Sequence, residues 1–297
     1  MLRRISDHGS YRVQRPPYLL LSGLLPIVLA GCAGMVTSAT TRLAESISSA
    51  ILNQNDLETV RDGAPAYLLF IDGLILEDRG NVQLLSAGAK LNSAYAGAFV
   101  EDPPRARRMT TRARDYALRA LCRQRAETCG IATRPYGKFA AQIALLERSD
   151  VPVLYTLGTT WAGWIQASSD DWNAIADLPK VKAIMQRVIE LDEQFDRGGA
   201  HLYLGVLLTL QPPALGGKPA QAREHFERAI ELSRERDLMA KVLFARHYAR
   251  LMFDRKLHDR LLQDVLSADS VESGLTLRNT IAKEEAHRLL ATSAEYF

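Results

Sequence analysis

The chain has 297 residues, of which 47% are hydrophobic and 24% are charged. These values exclude a disordered tail, a collagen and a disulfide-dense mini-protein, and the length suffices for one large domain or two small ones. The formal net charge is +3, but residues 1–31 alone hold four arginines against one aspartate, so the rest of the chain is neutral. A neutral body argues against electrostatic binding to nucleic acid.

The first 31 residues have the features of a targeting sequence. An arginine-rich stretch precedes an uncharged run from Tyr18 to Ala30. That run is shorter than the roughly 20 apolar residues that a membrane-spanning helix needs, and Pro26 weakens it further. A positive segment, a short apolar core and small residues at its end are typical of a secretory signal peptide. We therefore predict a signal peptide at residues 1–31.

The motif Leu29-Ala-Gly-Cys32 at the end of this leader resembles the bacterial lipobox. The resemblance implies that Cys32 carries a diacylglycerol and becomes the first residue of the mature chain. Several acyl chains at one cysteine suffice for stable membrane anchoring. The following residue is Ala33 rather than aspartate, which by analogy with lipoprotein sorting in enteric bacteria favours the outer membrane. We expect a periplasmic lipoprotein; a free cysteine ending an apolar run is the alternative.

Two further cysteines, Cys122 and Cys129, remain after Cys32 is assigned to the lipid. An even pair in an oxidising periplasm is a disulfide candidate. The alternative is two reduced, partly buried thiols. The sequence has no CxxC motif and no histidine close to these cysteines, so we predict no zinc site.

The mature chain is predicted to be helical almost throughout. We expect a lipidated tether and first amphipathic helix over residues 32–55, from the spacing of Leu43, Ile47 and Ile51. Residues 56–297 are predicted to form a single helical domain, because no clean alternation of period two exceeds four residues. Pro65 is placed in the first turn of a helix at 63–76, and Asp102 is expected to cap a helix at 103–123. The other predicted helices are 82–100, 138–148, 151–168, 177–192, 199–211, 218–234, 238–253, 256–268 and 274–295.

Pairs of these helices repeat. Met185–Asp192 aligns with Phe226–Ser233, and Leu157-Gly158 aligns with Leu204-Gly205. A Leu-Gly in one helix followed by Ala222, Phe226 and Ala229 in the next is typical of tetratricopeptide repeats. We predict an all-α fold of stacked antiparallel helical hairpins, a tetratricopeptide-like α-solenoid, whose stacking creates a concave surface. The alternative is that these are ordinary helical hairpins, because any of them repeats its apolar positions.

Several segments resemble the T component of tetratricopeptide-associated TRAP transporters, a family of periplasmic lipoproteins. They are Leu91–Phe99, Glu101–Arg107, Ala113–Leu121, Pro213–Leu232, Met239–Leu243 and Asp259–Leu262. The resemblance implies an all-helical, membrane-tethered subunit that assembles as a homotrimer. It also implies that the subunit docks a periplasmic substrate-binding protein, the P component. A further implication is a cavity or pore for a small organic ligand, a class that includes hydrophobic molecules. Ion-coupled membrane subunits would then import that ligand.

No catalytic motif is present. The six histidines form no H-E-x-x-H pair, Gly216-Gly-Lys218 lacks the upstream glycine of a phosphate loop, and no G-x-S-x-G follows a strand. We therefore predict that the protein is not an enzyme and uses neither a cofactor nor a metal. Two alternatives to the transport function remain: a tetratricopeptide scaffold lipoprotein for envelope complex assembly, and an envelope enzyme.

Aromatic residues provide the main binding candidates. Trp161 and Trp164 lie three residues apart on one helix face, and we expect only one of them to fit the core. The functional hypothesis is that Trp164, with Trp172 from the following loop, lines a ligand pocket or a partner surface; ordinary core packing is the alternative. The remaining candidates are Tyr155, Asn92 and Tyr95. Asn92 is included because an asparagine on an Ala- and Leu-rich helix face needs a hydrogen-bond partner if it is buried.

Overall fold

The computed structural model describes residue 43 and residues 46–297. The predicted signal peptide, Cys32 and most of the tether lie outside the described residues. Residues 46–52 are helical, and Ile47 and Ile51 pack against the core, as the amphipathic spacing predicts. Residues 46–297 belong to one structural unit.

The described part of the chain is all helical and holds no strand, which confirms the predicted fold class. In chain order the helices are α1 (Leu57–Glu77), α2 (Val82–Phe99), α3 (Pro103–Gln124), α4 (Tyr136–Ile143), α5 (Val151–Ala167), α6 (Trp172–Ile175), α7 (Leu178–Asp192), α8 (Gly199–Thr209), α9 (Pro219–Leu232), α10 (Leu238–Leu243), α11 (Arg255–Ser267), α12 (Thr276–Ala291) and α13 (Ser293–Tyr296). Asp102 caps α3 by accepting from the Arg105 amide, as the sequence predicts. The solenoid arrangement of these helices remains a prediction.

The predicted start of the helix at 63 is wrong. Helix α1 begins six residues earlier, at Leu57, because the Asp56 carboxylate accepts hydrogen bonds from the amides of Glu58 and Thr59. Pro65 therefore lies inside the helix rather than in its first turn. Proline has no amide hydrogen, so the Arg61 carbonyl one turn earlier loses its helical donor.

Two other boundaries differ from prediction. The expected helix at 238–253 is a short α10 that continues as a π-helical segment over Phe244–Ala249. The expected helix at 138–148 begins at Tyr136 and ends at Ile143, and a separate 3₁₀ turn occupies Arg148–Asp150. π-helical segments such as Phe244–Ala249 are rare, and hydrophobic periodicity does not distinguish them from a regular α-helix.

Two helical hairpins use the same close contact. A Cβ on Gly158 of α5 would lie 2.7 Å from the Ile184 side chain and would also clash with Met185 of α7. A Cβ on Gly205 of α8 would lie 3.0 Å from the Phe226 ring of α9. Glycine thus lets each pair of helices approach closely, and Met185 and Phe226 fill the same position in the two aligned repeats.

The buried residues form two main cores. The first core joins α1 to α8 and includes Leu85, Trp161 and Ile184. The second core joins α8 to α12 and includes Phe226 and Leu262. Since α8 contributes to both cores, it links the two halves of this unit.

Cys122 near the end of α3 and Cys129 form a disulfide, with their Cα atoms 4.6 Å apart. A short 3₁₀ turn at Ala126–Thr128 connects them. The bond closes the small loop that the cysteine spacing suggests.

Candidate functional site

Trp161 on α5 belongs to the core. Its side chain is fully buried, and its indole Nε1 donates to the Asp177 carboxylate at 3.2 Å. The Phe139 ring meets the indole edge-on, with centroids 5.8 Å apart. A buried indole whose N–H is paired stabilises the fold and leaves no surface for a ligand.

Trp164, one turn further along α5, is only partly buried. The guanidinium carbon of Arg114 on α3 lies 3.6 Å from the ring centroid, which is a close cation–π contact. Burial lowers the pKa of Arg114, and the nearby Asp115 and Asp177 oppose that shift. The indole and the guanidinium thus form a partly accessible stack between α3 and α5.

Trp172 lies in a third environment. It begins the short helix α6, where Asp171 accepts from the Asn173 amide, and its side chain is 81% exposed. The structure therefore places Trp161 in the core, Trp164 against Arg114 and Trp172 in solvent.

Asn92 and Tyr95 on α2 make bonds within the fold. Asn92 is buried, and its Nδ2 donates to the Gly88 carbonyl of the same helix at 2.9 Å. The Tyr95 hydroxyl donates to the Arg61 carbonyl of α1, also at 2.9 Å. The buried asparagine thus has the partner that the sequence argument requires.

Tyr155 lies in a polar cluster near the start of α5. Its hydroxyl and the Asp196 carboxylate both lie beside Gly199, and its ring packs edge-on against Phe195 and Tyr203, with centroids 5.4 and 6.3 Å away. Burial, with Asp196 second, raises the pKa of Tyr155 well above its ordinary value, so the phenol is neutral. A Cβ at Gly199 would clash with this hydroxyl, so the close approach requires glycine there.

Arg278 of α12 completes this cluster, which we call the tyrosine–arginine cluster: Tyr155, Asp196, Tyr203, Asp237 and Arg278. Arg278 Nε lies 3.0 Å from an Asp237 oxygen. Burial disfavours the charge, but Asp237, then Tyr155 and Asp196, outweigh burial and raise the pKa of Arg278. The Arg278 side chain is 34% accessible, while Tyr155 and Asp237 are buried.

A second feature is the charge on α3. The helix carries seven arginines and a single acidic residue, Asp115. An open groove of about 1,100 Å³ follows its outer side and is lined by Arg107, Arg108, Arg112, Asp115, Tyr116, Arg119 and Asp170, together with Pro103, Pro104 and Thr111. A smaller hollow of about 370 Å³ shares Tyr116 and Arg119 with it and adds Ile75, Leu76, Arg79 and Arg123. We call the two together the arginine groove.

Sequence reasoning missed both features. The neutral charge of residues 32–297 hid the excess on α3, although a charge count over residues 103–124 alone reveals it. The tyrosine–arginine cluster has no local signal, because its members come from positions as far apart as 155 and 278.

No group of three or more histidine, cysteine, aspartate or glutamate side chains suited to a metal occurs in residues 46–297. Within the same residues, no helix has the length and apolar character needed to cross a membrane.

Comparison with known proteins gives one family. The family model described as TRAP transporter T-component, TAtT, matches residues 53–297. No curated protein matches the chain. The match covers almost all of the described residues and agrees with the resemblance seen in the sequence. The chain therefore belongs to the TRAP transporter T-component family, whose members are transporter accessory subunits rather than enzymes.

Proposed function

We propose that this protein is a periplasmic accessory subunit of a TRAP transporter, anchored by lipid on Cys32, that docks the substrate-binding protein of the system and receives a small organic ligand. The observation that carries the proposal is the family match over residues 53–297. It favours transport over a general scaffold for envelope assembly. Assembly as a homotrimer and anchoring of the lipid in the outer membrane are part of the same proposal.

The tyrosine–arginine cluster is the place we propose for the ligand. Tyr155 and Tyr203 bring two aromatic rings together, and the partly accessible guanidinium side chain of Arg278 belongs to the same cluster. Small-molecule sites combine apolar and aromatic walls with a few well-placed polar groups. The Arg114–Trp164 stack is a second accessible aromatic surface, and it supports the hypothesis for Trp164.

The docking half is tested with the mature lipidated protein and the substrate-binding protein of the same TRAP system. We expect the two to co-elute from size-exclusion chromatography and to bind in calorimetry. Absence of any complex, with both proteins folded, would contradict docking.

The anchor is tested separately. Replacing Cys32 with alanine should move the protein from the membrane fraction to the soluble periplasmic fraction, because the lipid has no other attachment point in the motif. Unchanged fractionation would contradict lipidation at Cys32.

The ligand half is tested by screening small organic acids and hydrophobic molecules for a rise in melting temperature. A compound that raises the melting temperature of the wild type should not raise it in Tyr203→Phe or Arg278→Lys. It should still raise it in a variant of the exposed His287. A hit that these cluster variants leave unchanged would place the ligand elsewhere.

A further inference from the structure

Several arginines of the arginine groove have no acidic partner. Arg107 pairs with Asp170, and Arg112 pairs with Asp72. Arg108 and Arg119, by contrast, form no ion pair within residues 46–297, although the Arg119 guanidinium donates to the Arg79 carbonyl. The groove therefore presents unpaired positive charge in a chain whose mature part is neutral overall.

Exposed apolar and aromatic side chains border the same surface. Leu76 of α1 lines the smaller hollow and is 66% exposed, and Pro103 and Pro104 line the larger groove. Trp172, the most exposed of the tryptophans, follows two residues after the groove residue Asp170. Arginine, tyrosine and tryptophan are the residues most enriched in the parts of protein interfaces that carry binding energy.

We infer that the arginine groove docks an acidic surface of a folded protein, and, resting on the function proposed above, that this protein is the substrate-binding subunit. Charge complementarity selects the partner: the groove and its smaller hollow are lined by six arginines and two aspartates. Charges at the rim of an interface steer association and set orientation more than they add affinity.

The groove fits a protein better than a small ligand or a membrane. It is open and about 1,100 Å³ in volume, whereas small-molecule sites enclose most of the ligand surface. Asp115 and Asp170 lie among the arginines, so the charge is patterned rather than uniform. A patterned groove orients a protein surface that carries both charges, while a uniformly anionic lipid surface would face repulsion at Asp115.

The test compares binding of the mature lipidated protein and its charge variants to the substrate-binding protein by calorimetry at low salt. Arg108→Glu combined with Arg119→Glu should weaken binding by roughly tenfold or more and remove its dependence on salt. Arg108→Lys with Arg119→Lys should bind within about twofold of wild type, because the charge is kept. The matched control is Lys256→Glu with Arg260→Glu, two exposed cations on α11, which should leave binding unchanged. Melting temperatures verify that each variant is folded.

The outcomes separate this inference from the proposed function. If the wild type binds and the Arg108/Arg119 reversal binds equally well, the groove inference is wrong and docking stands. If the wild type does not bind, docking fails and takes the inference with it. The inference is also overturned if the reversal changes the oligomeric mass in light scattering, which would assign the groove to contacts between copies. If the Arg108/Arg119 reversal loses binding to phosphatidylglycerol vesicles but still binds the protein as the wild type does, the inference is wrong and the groove is a membrane contact.

Discussion

The Tyr95 hydroxyl provides the hydrogen bond that Pro65 cannot give to α1. In a regular helix the amide of residue 65 would donate to the Arg61 carbonyl, and proline has no amide hydrogen. The Tyr95 hydroxyl from α2 donates to that carbonyl at 2.9 Å. The bond satisfies the backbone and also ties α2 to α1.

This arrangement predicts a coupling between two positions. Tyr95→Phe should lower the free energy of unfolding by about 1–2 kcal/mol, because the Arg61 carbonyl then lacks a donor. In a Pro65→Ala background the amide of residue 65 takes over, so the same change should cost less. Urea denaturation of the four variants in a double-mutant cycle measures this difference. Additive effects would show that Tyr95 does not compensate for the proline.

A second relationship joins His201 and His225, whose pKa values are lowered by burial. Nδ1 of His201 lies 2.8 Å from Nδ1 of His225, so one ring donates a hydrogen bond and the other accepts it. Burial and then His201 lower the pKa of His225 from 6.5 to about 4. Burial also lowers the pKa of His201, although Glu193, 3.2 Å from its Nε2, opposes that shift. Burial likewise lowers the pKa of His247 to about 4.

These shifts predict a loss of stability in mild acid. Below about pH 6.5 the unfolded histidines bind protons that the folded protein excludes, so the free energy of unfolding should fall as the pH drops from 6.5 towards 4. At pH 5 we expect roughly 1–2 kcal/mol from His225, given that it is only partly buried. Urea titrations at pH 7 and pH 5 measure the loss.

The control for this prediction is a matched pair of variants. His225→Gln should reduce the acid loss, and His287→Gln, at an exposed position on α12, should not change it. Equal acid sensitivity in wild type and His225→Gln would show that this histidine pair does not set the pH response.

The two tryptophans of α5 should respond differently to truncation. Trp161→Ala should cost about 3–5 kcal/mol, because a fully buried ring is replaced by a cavity and Asp177 loses one of its two side-chain donors. Trp164→Ala should cost about 1 kcal/mol, mainly from lost contact with Arg114. The Trp164 change should also weaken partner or ligand binding measured in the same preparation. A large stability loss at Trp164 with unchanged binding would assign it to the core.

Glycine at the two hairpin contacts should be necessary for packing. Gly158→Ala and Gly205→Ala should each lower stability by about 1–3 kcal/mol, because the new methyl group meets Ile184 or the Phe226 ring. Gly97→Ala on α2, where a Cβ meets no atom within 4 Å, should instead raise stability by up to about 1 kcal/mol. Thermal denaturation distinguishes the two signs. Stabilisation by all three changes would show that both hairpins can accommodate a methyl group at their glycine positions without a clash.

Much of the fold could be predicted because its determinants are local. Asp102 and the two prolines after it mark the start of α3, and the aligned Leu-Gly pairs locate two hairpins whose glycine contacts the structure displays. The position of Pro65 inside α1 is not predictable from local sequence, because the hydrogen bond that replaces its missing donor comes from Tyr95, thirty residues later and on another helix.

The candidate sites were harder to predict because they depend on side chains that only the fold brings together. The aromatic side chain of Tyr155 makes it a candidate from sequence alone, yet the charged groups that act on it, Asp196 and Arg278, lie far along the chain. Trp161 and Trp164 have the same spacing signal, and only packing decides that one is buried and the other rests on Arg114.

The equivalent contacts at Gly158 and Gly205 have a consequence for how such chains can change over time. Met185 and Phe226 occupy the same register although the first helix of one hairpin, α5, has 17 residues and the first helix of the other, α8, has 11. The extra residues of α5 follow its glycine, so a longer first helix leaves the glycine contact intact. A hairpin of this kind can therefore be lengthened away from its glycine without changing how its two helices pack against each other.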